Sequence, residues 1–234
     1  YNIFKNLFEK IMERKYKVLV FGATGFTGKL CAKYLKENYP DLSWAIAGRN
    51  EDKLKQVKNI IITKPQKLDC GKEISNFPIS YETYGTLNEK KDNAILVFHA
   101  LTGDQFASGK NPITNKDGWW SYALGSGKAI DTEKFFVICA NVIGGCMGSY
   151  GPSTIDEETG KPIGTNFPVI TINDMVNAQY NLLEHFKIDK LFAVIGGSMG
   201  GMQVLQFVSN FPDKAHIAIP VSYTHLRAHE TLHN

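Results

Sequence analysis

The feature that most restricts this 234-residue chain is a serine bracketed by glycines, set between a strand pattern and a helix pattern. Lys190–Ile195 (KLFAVI) is a short apolar, β-branched run of the kind that forms a strand buried on both faces. It enters Gly196-Gly197-Ser198-Met199-Gly200-Gly201, and MQVLQFVSNF follows with helical patterning. Gly196-Gly197-Ser198-Met199-Gly200 (GGSMG) fits G-x-S-x-G, the nucleophile elbow. Such a turn holds its serine in a strained backbone conformation, and flanking glycines let neighbouring backbone come close. Ser198 then stands at a helix N-terminus as the candidate nucleophile, with the Met199 N–H available as an oxyanion donor.

A second donor is expected from the loop after an earlier strand. Asn93–Phe98 (NAILVF) is that strand and His99-Ala-Leu101-Thr-Gly103 the loop, which makes the Leu101 N–H the partner donor. His99 is a tempting general base. It precedes the serine, however, whereas in elbow folds the order is Ser, then acid, then His, so a structural role is preferred. Asp213, in the FPDK loop leaving the elbow helix, comes too early to be the acid.

Near the other end lies a second glycine turn. Tyr16–Phe21 (YKVLVF) reads as a buried strand, Gly22-Ala-Thr24-Gly25-Phe26-Thr27-Gly28 follows, and Lys29–Glu37 has a helical pattern. Strand, glycine turn and helix in this order aim backbone N–H groups and a helix N-terminus at a pyrophosphate. Leu42–Ala47 reads as the next strand, and Arg49 stands where an acid would meet a ribose 2′-hydroxyl; arginine there suits the 2′-phosphate of NADP. Gly22, Thr24, Gly25, Phe26, Thr27, Gly28 and Arg49 are the candidate cofactor-binding residues. After Val57 the sequence is rich in turn residues and shows no βαβ continuation, so only part of a dinucleotide-binding unit is expected.

Composition excludes other classes. Hydrophobic residues at 43% and charged residues at 21% describe a globular chain, and no apolar run approaches the length of a membrane span. A net charge of +3 without a basic stripe argues against a nucleic-acid partner. Cys31, Cys70, Cys139 and Cys146 lie far apart with no C-x-x-C, which favours free thiols in a reducing, cytoplasmic setting. The opening YNIFKNLFEKIMERKYK is expected as a surface helix, and since the first residue is Tyr1 the natural start is expected upstream.

Residues 16–57, through GATGFTG and AGRN, resemble the start of saccharopine dehydrogenase-like oxidoreductases. From about 63 to 220 the chain resembles homoserine O-acetyltransferases of the α/β-hydrolase fold, through PISYETYGTLN, NAILVFHALTGD, GWWSYALGSGKAIDTEKFFVICANVIGGCMGSYGPSTI, FPVITINDMVNAQ and LFAVIGGSMGGMQVLQF. This second resemblance implies acetyl transfer from acetyl-CoA to L-homoserine in methionine biosynthesis, through an acyl-Ser198, by a homodimer. It also implies a catalytic Asp, a catalytic His and a substrate-carboxylate arginine beyond this chain, and hence little turnover. Acetyl versus succinyl donor, and homoserine versus serine acceptor, stay open. Cys146 and the Trp119-Trp120 pair are read as packing.

The tail VSYTHLRAHETLHN contains His229-Glu230-Thr-Leu-His233, formally H-E-x-x-H. VSYTHLRAHET resembles the conceptual translation of a sequencing-library adapter, a more specific match than three fixed positions, so no metal site is expected. The expected class is α/β: a truncated α/β-hydrolase sheet over 58–220, preceded by a partial Rossmann βαβ unit over 1–57 and followed by a non-native tail, 221–234. A chimera joined near residues 57–63 accounts for this; a natural bifunctional fusion is the alternative.

Overall fold

The computed structural model describes residues 18–21, 44–47, 58–156 and 159–221. The chain divides into two compact units, Tyr1–Glu51 with Gly151–Phe167, and Asp52–Tyr150 with Pro168–Asn234. In the first, β1 (Val18–Phe21) and β2 (Trp44–Ala47) pair in parallel, Val18 opposite Trp44 and Phe21 opposite Ala47. Both strands fall inside the runs read as strands from sequence. The glycine turn, Arg49, the opening helix expected over the first residues and the tail after Val221 lie outside the described residues.

The second unit is built on a six-stranded sheet. In chain order the unit comprises β3 (Asn59–Ile62), a small hairpin of β4 (Gln66–Lys67) and β5 (Glu73–Ile74), β6 (Phe77–Tyr84) and β7 (Ala94–Phe98). A parallel pair, β8 (Leu124–Gly125) and β9 (Ile130–Asp131), precedes β10 (Phe136–Ala140). Helix α1 (Ile172–Phe186), β11 (Leu191–Gly197), helix α2 (Met199–Asn210) and β12 (Ala215–Val221) complete it. The sheet runs β12-β11-β7-β10-β6-β3; the first four strands are parallel, and β6 and β3 are each antiparallel to their neighbour.

The turn-rich stretch after Val57 therefore enters the sheet immediately, as β3 antiparallel to β6. Its Asn59–Ile62 run is short and sits at the sheet edge, with Ile61 exposed, so its apolar residues do not mark a buried strand in sequence.

Helices on one side and loop structure on the other bury both faces of the central strands, which is why β7 and β10 are continuous apolar runs. Alternation divides each strand between two clusters. Ala94, Leu96 and Phe98 of β7, with Phe136, Ile138 and Ala140 of β10, join the large cluster that includes Val176, Leu182 and Leu183 of α1 and Val204 and Phe207 of α2. Ile95, Val97, Val137 and Cys139 face a smaller cluster against which Trp119 and Trp120 pack. Those tryptophans stack at 5.2 Å, and Trp119 Nε1 donates to Asp104 O at 2.8 Å. Cys146 packs on Phe106, Ile113 and Met147.

Helix α1 begins with a reciprocal capping box. Asp174 N–H donates to Thr171 Oγ1, while Thr171 N–H donates to Asp174 Oδ2 at 2.9 Å. The other carboxylate oxygen of the fully buried Asp174 accepts from Asp69 N–H at 2.9 Å, fastening the β4–β5 hairpin to the helix start. Lys187, left-handed at φ 54°, closes the helix.

Candidate active site

Strand β7 has β10 on one side and β11 on the other. The chain passes from β7 outward to β10, then returns across β7 to β11. Order reverses there, and in open parallel sheets the crevice beyond the strand carboxyl ends at such a point is where ligands bind. Gly196 of β11 pairs with Phe98 of β7, so the elbow and the His99–Gly103 loop leave the sheet side by side. Two motifs roughly a hundred residues apart in the chain are thereby adjacent in space.

Ser198 has φ 56° and ψ −122°, a positive φ that a non-glycine residue adopts only under constraint. The surroundings supply that constraint. Ser198 N–H donates to Val221 O at 2.9 Å, and Ser198 O accepts from Gly201 N–H at 2.9 Å and Met202 N–H at 3.2 Å. The elbow glycines differ in their necessity. A Cβ on Gly196 would stand 2.5 Å from Gly200 O and 2.8 Å from Phe98 O, and one on Gly200 would overlap Phe98 O. At Gly197 the nearest atom would be Val221 O at 3.7 Å, an ordinary contact. Close backbone packing thus requires Gly196 and Gly200, the two glycines of the G-x-S-x-G pattern, and leaves Gly197, the variable position before the serine, free.

Ser198 is exposed and Met199 is the first residue of α2, so the Met199 amide is one of the four that no preceding helical turn satisfies. Leu101 is 61% exposed in the facing loop, whose turn is closed by Gly103 N–H donating to Ala100 O at 2.8 Å.

His99 is buried and fully engaged. Its Nδ1 lies 2.7 Å from Ala100 O, and its Nε2 accepts from Val142 N–H at 3.2 Å, with Asn141 Nδ2 at 3.4 Å. A carbonyl takes only a donor and an amide N–H needs an acceptor, which fixes the proton on Nδ1 of a neutral ring. Burial lowers its pKa from 6.5 to about 4, against the opposing bond to Ala100 O. A ring with both nitrogens committed is scaffold for the loop, in keeping with the structural role preferred from sequence.

Among the described residues no side chain hydrogen-bonds the Ser198 hydroxyl. His216 sits near the start of β12, five residues before Val221, so about 17 Å along the strand from the elbow. His185 packs edge-on to Tyr81 and Phe186. Asp213 is exposed in the turn after α2. A pocket of about 490 Å³ lined by Asp92, Asn93, Phe135, Phe192 and His216 lies at the amino ends of the strands, opposite Ser198. No group of three or more metal-ligating side chains occurs among the described residues, and the H-E-x-x-H residues fall outside them.

A sheet of this order with a strained serine between β11 and α2 defines a class, and a family model described as alpha/beta hydrolase fold matches residues 93–224, more than half the chain. The chain belongs to the alpha/beta hydrolase fold family. More particular likenesses follow within it. It is 76% identical over 168 residues to a homoserine O-acetyltransferase of Pelagibacter ubique (strain HTCC1062), covering 72% of this chain and 45% of the relative. It is 58% identical over 159 residues to the enzyme of that name from Mesorhizobium japonicum, covering 68% and 41%. The crystal structure of homoserine O-acetyltransferase from Bacillus anthracis superimposes with a TM-score of 0.63 at 34% identity, covering 70% of this chain and 45% of that one. Esterase E22 gives the same TM-score at 39% identity, covering 68% and 45%. The chain thus spans less than half the length of each of these relatives.

Proposed function

We propose that this chain carries the nucleophile half of a homoserine O-acetyltransferase site. The carrying observation is the strained Ser198 beside the His99–Gly103 loop, inside a segment 76% identical to an enzyme of that name. On this reading Ser198 Oγ attacks the thioester carbonyl of acetyl-CoA; the C–S bond breaks and the thiol of CoA leaves with a proton. The N–H groups of Leu101 and Met199 stabilise the oxyanion formed in that step. The hydroxyl of L-homoserine then attacks the acyl-serine, an ester forms, and Ser198 is restored. His99, with both ring nitrogens bonded, takes no proton here. The base that accepts the serine proton comes from outside the described residues, as does the carboxylate that orients it. The enzyme works on this reading as a cytoplasmic homodimer.

Incubation of the full chain with acetyl-CoA, followed by peptide mass spectrometry, tests the proposal. The expected result is slow acetylation confined to Ser198, abolished in Ser198→Ala, with O-acetylhomoserine formed only when L-homoserine is added. Acetylation elsewhere, or none, overturns it. Loss of the acetyl group to water as fast as to L-homoserine would instead favour ester hydrolysis, the activity for which esterase E22 is named.

A second reading concerns NADP at Gly22, Thr24, Gly25, Phe26, Thr27, Gly28 and Arg49. The parallel pairing of β1 and β2 favours it, because the glycine turn and Arg49 follow the carboxyl ends of two adjacent parallel strands. Quenching of NADPH fluorescence by the chain, lost in Arg49→Glu, is the expected outcome; no quenching sinks this reading.

A further inference from the structure

Gln203 lies on α2, one turn beyond the elbow, and is wholly buried. A buried amide is costly unless its groups are satisfied, and an apolar residue would fill the space between helix and sheet at less cost. Its bonds explain its presence. Nε2 donates to His99 O at 3.3 Å and to Met199 O at 3.4 Å, one carbonyl for each proton, and Oε1 accepts from Gln179 Nε2 of α1 at 2.7 Å.

The two carbonyls belong to the two segments that carry the amides assigned to the oxyanion. Met199 is itself one of those residues, and His99 precedes Leu101, the other, by two positions. Sheet pairing holds β7 and β11 together only up to Phe98 and Gly196, just short of both amides. Beyond that point the loop and the helix are separate pieces of backbone, and Gln203 reaches both. His99 completes the arrangement from the other side: its carbonyl is held by Gln203 while its ring is held by Val142 N–H and Ala100 O.

We propose that Gln203 is a positioning residue that sets the distance between the Leu101 and Met199 amides by clamping the His99 and Met199 carbonyls. The inference rests on the acyltransfer reading above. Oxyanion donors act only when held within roughly 0.5 Å of their working geometry. A clamp that loosens one segment by about 1 Å therefore reduces the rate at the serine on the order of 100-fold.

The test is the rate at which a fluorophosphonate labels Ser198 of the full chain, read by intact mass and normalised to the folded fraction. The probe forms a tetrahedral adduct whose oxygen needs the same two amides. The parent is expected to label at Ser198 and Ser198→Ala not at all. Gln203→Met, close in shape but without polar atoms, is expected to label about 10- to 100-fold more slowly. Gln203→Glu keeps the acceptor for Gln179 and loses both donors; it is expected to behave alike and carries the test if the methionine variant does not fold. Gln179→Leu disturbs the same interior while leaving both carbonyl bonds, and is expected to stay within about threefold of the parent. Parent-like labelling of Gln203→Met and Gln203→Glu overturns the inference alone, as does an equal slowing in Gln179→Leu, which would make the effect one of packing. A parent that is not labelled at Ser198 overturns the acyltransfer reading, and this inference with it.

Discussion

Gly200 lies against the carbonyl group of Phe98, so close that any Cβ at that position would overlap its oxygen and stand 2.9 Å from its carbon, with His99 O a further obstacle at 3.2 Å. The contact places the first turn of α2 against the end of β7, and it brings the elbow serine to the loop that carries Leu101. Both colliding atoms are backbone, so no side-chain rotation can relieve an alanine.

Gly200→Ala is accordingly expected to destabilise the fold by about 1–3 kcal/mol and to abolish labelling of Ser198, since the helix or the strand must shift. Gly197→Ala, whose Cβ would meet only Val221 O at 3.7 Å, is expected to retain labelling. Its stability should lie within about 0.5 kcal/mol of the parent. Urea unfolding and mass-resolved labelling of the two variants check the contrast; equal behaviour would contradict it.

His99 makes stability depend on acid. Its ordinary pKa of 6.5 applies in the unfolded chain, while burial holds it at about 4 in the fold. Between those values the unfolded state binds more protons. Stability is therefore complete above about pH 6.5, falls on acidification by up to about 1.4 kcal/mol per pH unit, and levels off below about pH 4. His99→Gln should flatten that slope relative to the parent in urea midpoints between pH 7.5 and 4.5. Imidazole NMR signals of His99 that titrate near 6.5 would refute the assignment.

The buried Asp174 accepts backbone N–H groups from both Thr171 and Asp69, joining the start of α1 to the β4–β5 hairpin. Asp174→Ala leaves those donors without an acceptor and is expected to lower stability by about 2–3 kcal/mol. Asp174→Asn, which keeps an acceptor oxygen, should lose less. The side-chain bonds of Asp174 run to Thr171 and Asp69, not to the elbow or the His99–Gly103 loop, so labelling per folded molecule should stay at the parent rate.

The thiols should separate by reactivity. Cys70 is exposed, whereas Cys139 is buried in the central strand β10, where burial and the nearby Asp104 carboxylate raise its pKa well above the ordinary value. Because the thiolate is the reactive form, alkylation at pH 8 should modify Cys70 readily and Cys139 only after unfolding. Peptide mass spectrometry over a time course reads this directly, and prompt modification of Cys139 in folded protein would count against the buried placement.

The strands at the heart of the sheet were legible because they are buried on both faces. AILVF and LFAVI are apolar throughout, and the structure ends them close to where the turn residues predict. The elbow was legible for a related reason: glycine is the only residue that admits carbonyl oxygens as near as those of Phe98 and Gly200. The edge strand Asn59–Ile62 was not, since half-exposed residues among lysines and prolines carry no alternating signal. The roles of Gln179 and Gln203 were also hidden. A glutamine in a helical pattern reads as a solvated side chain until the fold places it in the interior.

The local sequence by itself determined the central strands flanking the site, the helix after the serine, and the presence of a strained nucleophile turn, because each depends on residues within a few positions of one another. Tertiary structure alone decided which distant pieces meet. It set β7 beside β11, committed both nitrogens of His99 to Ala100 and Val142, and turned Gln203 onto two backbone carbonyls. Those choices follow from packing a mixed sheet whose strand order reverses at the elbow, where burying the His99 ring and the Gln203 amide requires backbone partners for them.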